Sequence, residues 1–190
     1  YRLENHGLEL EPALAQRLKT VAHQRGATLF MLLLAGLQVQ LSRYGGQSDI
    51  RVGVPIANRH RRGTGSTVGM FVNTQVLRSH IDGHASLEQI IAQVRQAVLE
   101  AQSHQDLPFD QLVEALQPER NMGINPLFQV MHNHQRVDTR PLEQLPGLSL
   151  QEMRIGGRTA QLELTLNTTE CADGRILVNW AYAGELFDAQ

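Results

Sequence analysis

The stretch VGMFVNTQVLR, residues 68–78, alternates in the manner of a β-strand. One face of such a strand carries Phe71, Asn73, Gln75 and Leu77. Two amide side chains thus share a face with a phenylalanine and a leucine. Buried amides need hydrogen-bond partners, so this pair is expected either to line a polar site or to satisfy buried backbone groups.

Helices and strands are mixed on both sides of this stretch. Start and stop signals predict helices over 12–25, 29–44, 87–103 and 108–116, with Thr28 and Ser86 as N-caps and Asp106 as the expected cap of the last helix. Strand-like runs cover 49–56, 68–78, 128–135, 161–170 and 175–183, and a Cys-Ala-Asp-Gly turn joins the last two. This order, with its antiparallel end, indicates an α+β layered domain.

Composition narrows the class of protein. The chain has 190 residues, 42% of them hydrophobic, and a formal net charge of −2, which gives no basic excess for nucleic-acid binding. The basic cluster 59–62 is expected to be a solvated loop. The longest apolar run, 29–37, is far shorter than the roughly 20 residues that cross a bilayer. The single cysteine, Cys171, suggests a reducing compartment, so a cytoplasmic location is expected.

Catalytic and metal-binding patterns are weak in this chain. His132 and His134 alternate on one strand, but no third ligand accompanies them, so no metal site is predicted. Gly83 lies between His80 and His84, and the next predicted helix starts only after them at the cap Ser86, so this pair does not form a helical metal motif. The glycine-rich loop after residue 56 lacks the Lys-Ser/Thr ending of a phosphate-binding loop.

Three segments in one order carry a family resemblance. VGMFVNTQVLR (68–78), HQDLPFDQLVEAL (104–116) and RNMGINPLFQVMHN (120–133) resemble motifs of the condensation domains of nonribosomal peptide synthetases. The lead-in 28–59 and the closing segments QLELTL and AYAGELFD look like the same family, so the resemblance covers essentially the whole chain. It implies a chloramphenicol acetyltransferase-like layered sandwich, a mixed sheet with helices packed on it, as one lobe of a two-lobed domain.

The resemblance also implies which lobe this is. Condensation domains carry an H-H-x-x-x-D-G signature in their first lobe, and its second histidine is implicated in peptide-bond formation. The chain has two Asp-Gly pairs, at Asp82 and Asp173, and neither follows a His-His pair at the required spacing. Residues 1–190 are therefore expected to be the C-terminal subdomain, a fragment without a catalytic residue of its own and inactive alone.

The resemblance assigns expected roles to residues of the three motifs. Asn73 would face the substrate tunnel between the lobes, with Gln75 and Phe71 beside it. Amide side chains could hydrogen-bond a developing oxyanion or position a tethered substrate without titrating. The supporting motif residues are His104, Gln105, Asp106, Pro108, Phe109, Arg120, Asn125 and Pro126.

Partners follow from the same resemblance. No cofactor is expected to bind directly, because the substrates arrive as thioesters on the phosphopantetheine of upstream and downstream carrier proteins. Further expected partners are the N-terminal lobe and an adjacent adenylation domain, with no nucleic acid and no membrane. The isolated lobe should expose apolar surface and self-associate.

Other functions stay open at this stage. The parent domain could be a degenerate, non-catalytic module that docks carrier proteins, or the equivalent lobe of a cyclising or epimerising relative. A free-standing acetyltransferase is disfavoured, because that reaction also needs an H-x-x-x-D-G histidine that the chain lacks. The amino acids that are joined, the donor stereochemistry and the peptide product are not encoded in this sequence.

Overall fold

A computed structural model describes residues 1–118, 124–137, 147, 157 and 159–188. Its strands are β1 Leu3–Leu10, β2 Asp49–Ile56, β3 Asn73–His80, β4 Val130–Arg136, β5 Leu164–Glu170 and β6 Ile176–Ala183. Its helices are α1 Pro12–Gln24, α2 Leu29–Gly45, α3 Leu87–Ser103 and α4 Phe109–Leu116, with a short 3-10 turn at Thr64–Ser66. None of these helices is long and apolar enough to cross a membrane.

The helix boundaries agree with the local signals in the sequence. Thr28 Oγ1 accepts a hydrogen bond from the backbone N–H of Met31 at 3.2 Å, which fixes the start of α2. Ser86 and Gln89 form a reciprocal capping box at the start of α3. Gly46 adopts a φ of 64° and ends α2, a conformation that glycine reaches without steric cost. The four predicted helices are thus confirmed.

The described strands form one mixed sheet in the order β1-β6-β5-β4-β2-β3. Strand β4 pairs parallel with β2 and β5, and the other neighbours are antiparallel. The predicted α+β class with a mixed sheet and an antiparallel end is confirmed. Strand β1, which pairs with β6 at the edge, is not among the strands that the sequence predicts.

The core lies between the sheet and α2 and α3. Helix α2 is apolar on nearly every side and is the most deeply buried helix, with Leu34 and Ala35 fully enclosed. It packs with Ile91 of α3 against Val52 and Val54 of β2. This places the alternate residues of the sheet, including Gly53, on the opposite face.

The predicted strand over 68–78 is wrong in its first half. The pairing of β2 with β3 begins at Ile56 and Asn73, so residues 68–72 have no strand opposite them. They belong to the loop 57–72, which joins β2 to β3. Alternation alone cannot show where a partner strand ends, and this is why the sequence pattern extends the strand too far.

Candidate functional site

The side chain of Asn73 joins the start of β3 to the corner between α3 and α4. Its Nδ2 donates to the carbonyl oxygens of Leu107, at 2.8 Å, and Gln105, at 3.3 Å. Its Oδ1 accepts from the backbone N–H of Phe109 at 3.1 Å. Both donor hydrogens and one acceptor lone pair are therefore used on backbone groups.

Gln75 makes a similar contact two residues further along the strand. Its Nε2 donates to the carbonyl oxygen of Ala101 in the last turn of α3. Carbonyls in the last turn lack the usual i+4 partner, and this one also accepts from the backbone N–H of His104, so the glutamine adds a second hydrogen bond at a helix end. Of the two roles that the sequence allows for this amide pair, the structure shows the second: both side chains bind backbone groups of α3 and of the α3–α4 corner.

The expectation that Asp106 caps α4 is wrong. The residue before α4 is Pro108, and no side chain of the α3–α4 corner caps the helix. The backbone N–H of Phe109, the first residue of α4, already donates to the side chain of Asn73 from β3. Asp106 instead faces the loop 57–72 and pairs with His60 Nε2 at 3.0 Å and with Arg61 at 3.3 Å.

The third motif meets the second through two phenylalanines. The rings of Phe109 and Phe128 make an edge contact with centroids 5.8 Å apart. Phe128 is buried over Gly53, where a Cβ would lie only 2.3 Å from its ring. Asn125 Oδ1 fixes this turn by accepting from the N–H groups of Leu127 and Phe128. The structure therefore brings all three motifs together around the start of β3 and the end of β2.

The remaining motif residues have simpler positions. His104 is the exposed C-terminal cap of α3, and its backbone N–H donates to the carbonyl of Ala101. Gln105 takes part through its carbonyl oxygen, and Pro126 lies in the turn that Asn125 organises. Arg120 lies outside the described residues.

One residue of this site is not found from the sequence. The sequence predicts that Arg59 belongs to a solvated basic loop. In the structure, its guanidinium donates to the carbonyl oxygens of Thr64, Thr67 and Gly69 at 2.6 to 3.0 Å. It also lies over the ring of Phe71, 4.3 Å from the centroid. A guanidinium has five donors in a fixed fork, so one arginine can organise a whole loop. No local sequence signal reveals this, because the partners are backbone groups.

A second polar cluster lies in the core beneath α2. Thr168 Oγ1 contacts His134 Nδ1 at 2.8 Å and His132 Nε2 at 3.1 Å, and His134 Nε2 contacts Glu170 at 3.2 Å. Since a carboxylate only accepts, the chain runs from His132 N–H to Thr168 and from its hydroxyl to His134, whose other N–H donates to Glu170. Lys19 pairs with the same carboxylate.

Burial sets the protonation of this cluster. Desolvation, and then the neighbouring His134, lower the pKa of His132 to about 3. Burial also lowers the pKa of His134, although Glu170 opposes the shift. Burial would raise the pKa of Glu170, but the hydrogen bond and charge of Lys19 and His134 outweigh it and lower that pKa. Both histidines are neutral near pH 7, and the described residues contain no group of three side chains suited to hold a metal.

Comparison with known proteins places this fold in a family. The family model described as the condensation domain matches residues 1–190. One linear gramicidin synthase protein of Brevibacillus parabrevis is 38% identical over 100% of this chain and 4% of its own length. A second protein of the same synthase is 40% identical over 96% of this chain and 2% of its own length. The chain thus spans a small part of the curated relatives that it matches.

Solved structures share the fold along the whole chain. A four-domain nonribosomal peptide synthetase, holo-AB3403 bound to AMP and glycine, superposes with a TM-score of 0.88 at 25% identity, over 99% of this chain and 15% of that one. The condensation domain of the monacolin K polyketide synthase MokA gives 0.87 at 21% identity, over 98% of this chain and 43% of that one. The X-domain of teicoplanin biosynthesis in complex with OxyB gives 0.85 at 26% identity, over 99% of this chain and 42% of that one.

The fold is that of the condensation domains, and the general reaction of such domains in synthetases is acyl transfer that forms a peptide bond. The chain belongs to the condensation-domain family of nonribosomal peptide synthetases.

Proposed function

We propose that this chain is the C-terminal lobe of a peptide-bond-forming condensation domain. In the intact domain it forms one wall of a tunnel in which two carrier-bound thioesters meet, and the amine of one attacks the thioester carbonyl of the other. The histidine that assists this attack belongs to the other lobe, so residues 1–190 are inactive alone. The observation that carries the proposal is the meeting of three motifs at the start of α4, where Asn73 binds the N–H of Phe109 and the Phe109 ring contacts Phe128.

The contacts of Asn73 define what this wall does. Its amide has no donor left for a substrate, because both Nδ2 hydrogens bind carbonyls of the α3–α4 corner. Its role is therefore to hold the corner and the first turn of α4 in place beside β3. Gln75 holds the end of α3 in the same way. A wall that is fixed before the substrates arrive lowers the ordering cost of bringing two reacting groups together.

The chemistry of the partners follows from the reaction. Both substrates are thioesters on phosphopantetheine arms, so the domain needs upstream and downstream carrier proteins and binds no cofactor of its own. An adenylation domain supplies the activated amino acid to such a carrier. A cytoplasmic synthetase is consistent with the single unpaired cysteine of the chain.

The test uses the intact domain with both loaded carrier proteins. Asn73→Asp keeps the size of the side chain and replaces both donors by an acceptor that faces two carbonyl oxygens. We expect peptide formation to fall by about tenfold or more, by analogy with the loss of groups that position reactants. Asn5→Asp is the matched control, because Asn5 lies on the far edge strand and its side chain bonds only to Asn179 among the described residues. Equal rates for both variants would contradict the proposal.

A second candidate is a non-catalytic docking module of the same fold. The observation that favours it is the X-domain, a solved relative that forms a complex with OxyB. The two candidates separate in one measurement: peptide formation by the intact wild-type domain with loaded carriers. Turnover supports the condensing enzyme, whereas carrier binding without turnover supports the docking module.

A further inference from the structure

A row of asparagines crosses the sheet on the face opposite the helices. Asn133 of β4 pairs with Asn167 of β5, which lies directly opposite Asn179 of β6. These residues alternate with the strand residues that face the helix layer, so their three side chains share the open face. Asparagine is depleted in strands, and packing of the core does not involve this face. Three asparagines in register therefore indicate a polar role for the open face.

The hydrogen bonds of the row leave a gap in its middle. Asn133 Nδ2 donates to Asn167 Oδ1 at 3.3 Å, and Asn179 Nδ2 donates to Asn5 Oδ1 at 3.1 Å. Within the part of the chain that the structure describes, no hydrogen bond joins Asn167 to Asn179. Asn167 Nδ2 is thus an unused donor there, and Asn179 Oδ1 is an unused acceptor on the neighbouring strand. We call these two groups the amide gap.

An amide group of a ligand matches the amide gap. A peptide group has one C=O acceptor and one N–H donor. Its oxygen can accept from Asn167 Nδ2 while its N–H donates to Asn179 Oδ1. An ammonium group offers only donors and a carboxylate offers only acceptors, so each satisfies one side of the gap alone. The gap therefore selects a neutral amide.

The space over the amide gap is wide enough for a chain with side chains. A groove of about 760 Å³ contains both asparagines, and its lining mixes apolar Leu3 and Leu177 with polar Thr169. Gly7 of β1 lies directly opposite Asn179, so no side chain from that position covers the gap. This volume is in the range of small-molecule sites. A peptide that carries side chains needs such a groove, whereas a bare linear arm fits a narrow channel.

The open face connects the amide gap to the candidate site. Phe128 covers Gly53 on this face, and its ring contacts Phe109 at the start of α4. Met131 pairs with Gly53, and Asn133 follows two residues later on the same face of β4. The gap lies just beyond, between β5 and β6. A substrate whose reacting end lies near the candidate site can therefore extend its acyl chain along one continuous surface.

We propose that the amide gap binds a backbone amide of the donor's acyl chain, so that this domain takes a peptidyl rather than an aminoacyl donor. An aminoacyl group carries an ammonium and no amide, whereas a peptidyl group carries an amide one residue away from the thioester. This inference rests on the proposed function, because it assumes a condensing domain. It adds the class of donor, and it places the domain after a reaction that has already formed a peptide bond.

Binding to the intact domain is measured with two upstream carrier proteins. Their arms end in an alanyl or an alanyl-alanyl group that is joined by a stable amide in place of the thioester, so binding does not depend on turnover. Both probes contain this extra amide and the same arm, and they differ only in the peptide group. We expect the wild-type domain to bind the alanyl-alanyl carrier about tenfold more tightly, the effect of one to two hydrogen bonds.

Asn167→Asp removes the donor of the amide gap. The variant keeps an oxygen that accepts from Asn133, but it replaces the unused donor by an acceptor that repels a ligand carbonyl. We expect the preference for the alanyl-alanyl carrier to fall to about twofold or less. Gln135→Glu is the matched control, because it makes the same change from amide to carboxylate on the open face of β4, where its side chain contacts Thr169 outside the gap. This variant should keep the wild-type preference.

Gly7→Val tests the same site without a change of charge. A Cβ at Gly7 meets the carbonyl oxygen of Val178 at 3.8 Å and Oδ1 of Asn179 at 3.9 Å, which are ordinary contacts. Valine suits a strand, so the fold accommodates it, yet its side chain covers the acceptor of the gap. We expect the preference for the alanyl-alanyl carrier to fall as it does in Asn167→Asp.

The other outcomes each overturn the inference. Equal binding of the two probes by the wild-type domain means that no peptide group is recognised. A preference that survives both Asn167→Asp and Gly7→Val means that the amide binds elsewhere. Equal weakening of both probes assigns the row to the arm or to the fold.

Peptide formation from the matching thioesters is measured on the same samples, with one acceptor throughout. Product from both donors at equal rates refutes this inference while the proposed function stands. No product from either donor, although the carriers bind, refutes the proposed function and this inference with it.

Discussion

Replacing His132 by phenylalanine should make the domain more resistant to acid. His132 is fully buried and stacks on Phe30, with ring centroids 5.3 Å apart. Its pKa is about 3 in the folded chain, against an ordinary value of 6.5. At any pH between these two values, the imidazole of His132 is therefore protonated in the unfolded chain and neutral in the folded chain. Stability is complete above pH 6.5 and is lost as the pH falls below it.

The magnitude follows from the size of the shift. One proton of difference between the two states costs about 1.4 kcal/mol for each pH unit. At about pH 4.5, two units below the unfolded pKa, His132 should lower the free energy of unfolding of the wild-type domain by about 2.7 kcal/mol. The proton would go to Nδ1, which makes no hydrogen bond within the described residues, so nothing compensates the buried charge.

The variant His132→Phe keeps an aromatic ring in the core and removes the titratable imidazole. Phenylalanine can stack on Phe30, and Thr168 keeps its hydrogen bond to His134. The cost at about pH 7.5 should stay near 1 kcal/mol, the usual worth of one hydrogen bond. Urea unfolding of the intact domain at pH 7.5, 6.5, 5.5 and 4.5, a series chosen to bracket the ordinary histidine pKa of about 6.5, gives the slope for both proteins.

The comparison needs a control histidine that stays in water. His23 is exposed in the last turn of α1, so His23→Gln should follow the wild-type slope. The reasoning is refuted if the wild-type domain and His132→Phe lose the same free energy of unfolding across this pH series.

Three further predictions concern packing, capping and surface charge. Gly53→Ala should lower the free energy of unfolding by about 1 to 3 kcal/mol, because the new Cβ collides with Phe128; the double variant with Phe128→Leu should recover part of it in urea titrations. Ser86→Ala should lower the free energy of unfolding by about 1 kcal/mol, because the capping box of α3 is lost, and thermal unfolding measures this change. Asp106→Asn should change the free energy of unfolding by less than about 1 kcal/mol, since the contacts of Asp106 with His60 and Arg61 lie largely at the surface; a larger loss in thermal unfolding would show that the loop 57–72 depends on them.

Interactions between near neighbours in the chain are predictable from the sequence. The caps at Thr28 and Ser86 and the stop at Gly46 act within three or four residues, so a short stretch of sequence contains both partners. The alternation of β2 is equally clear. Strand β1 is not predicted because its pattern, with Leu3, Leu8 and Leu10 separated by polar residues, is explained only by its pairing with β6 at the other end of the chain.

The use of the amide pair is decided by the tertiary structure. The sequence places Asn73 and Gln75 on an apolar face and matches them to a family motif, but it cannot name their partners. Those partners are carbonyl and N–H groups of residues 101–109, and every residue type carries the same backbone carbonyl. Asp106 is misassigned for the same reason, because the helix start that it is expected to cap is bound by Asn73, a side chain from a distant strand. A sequence specifies local hydrogen bonds through its neighbours, whereas packing decides which distant backbone group each buried amide meets.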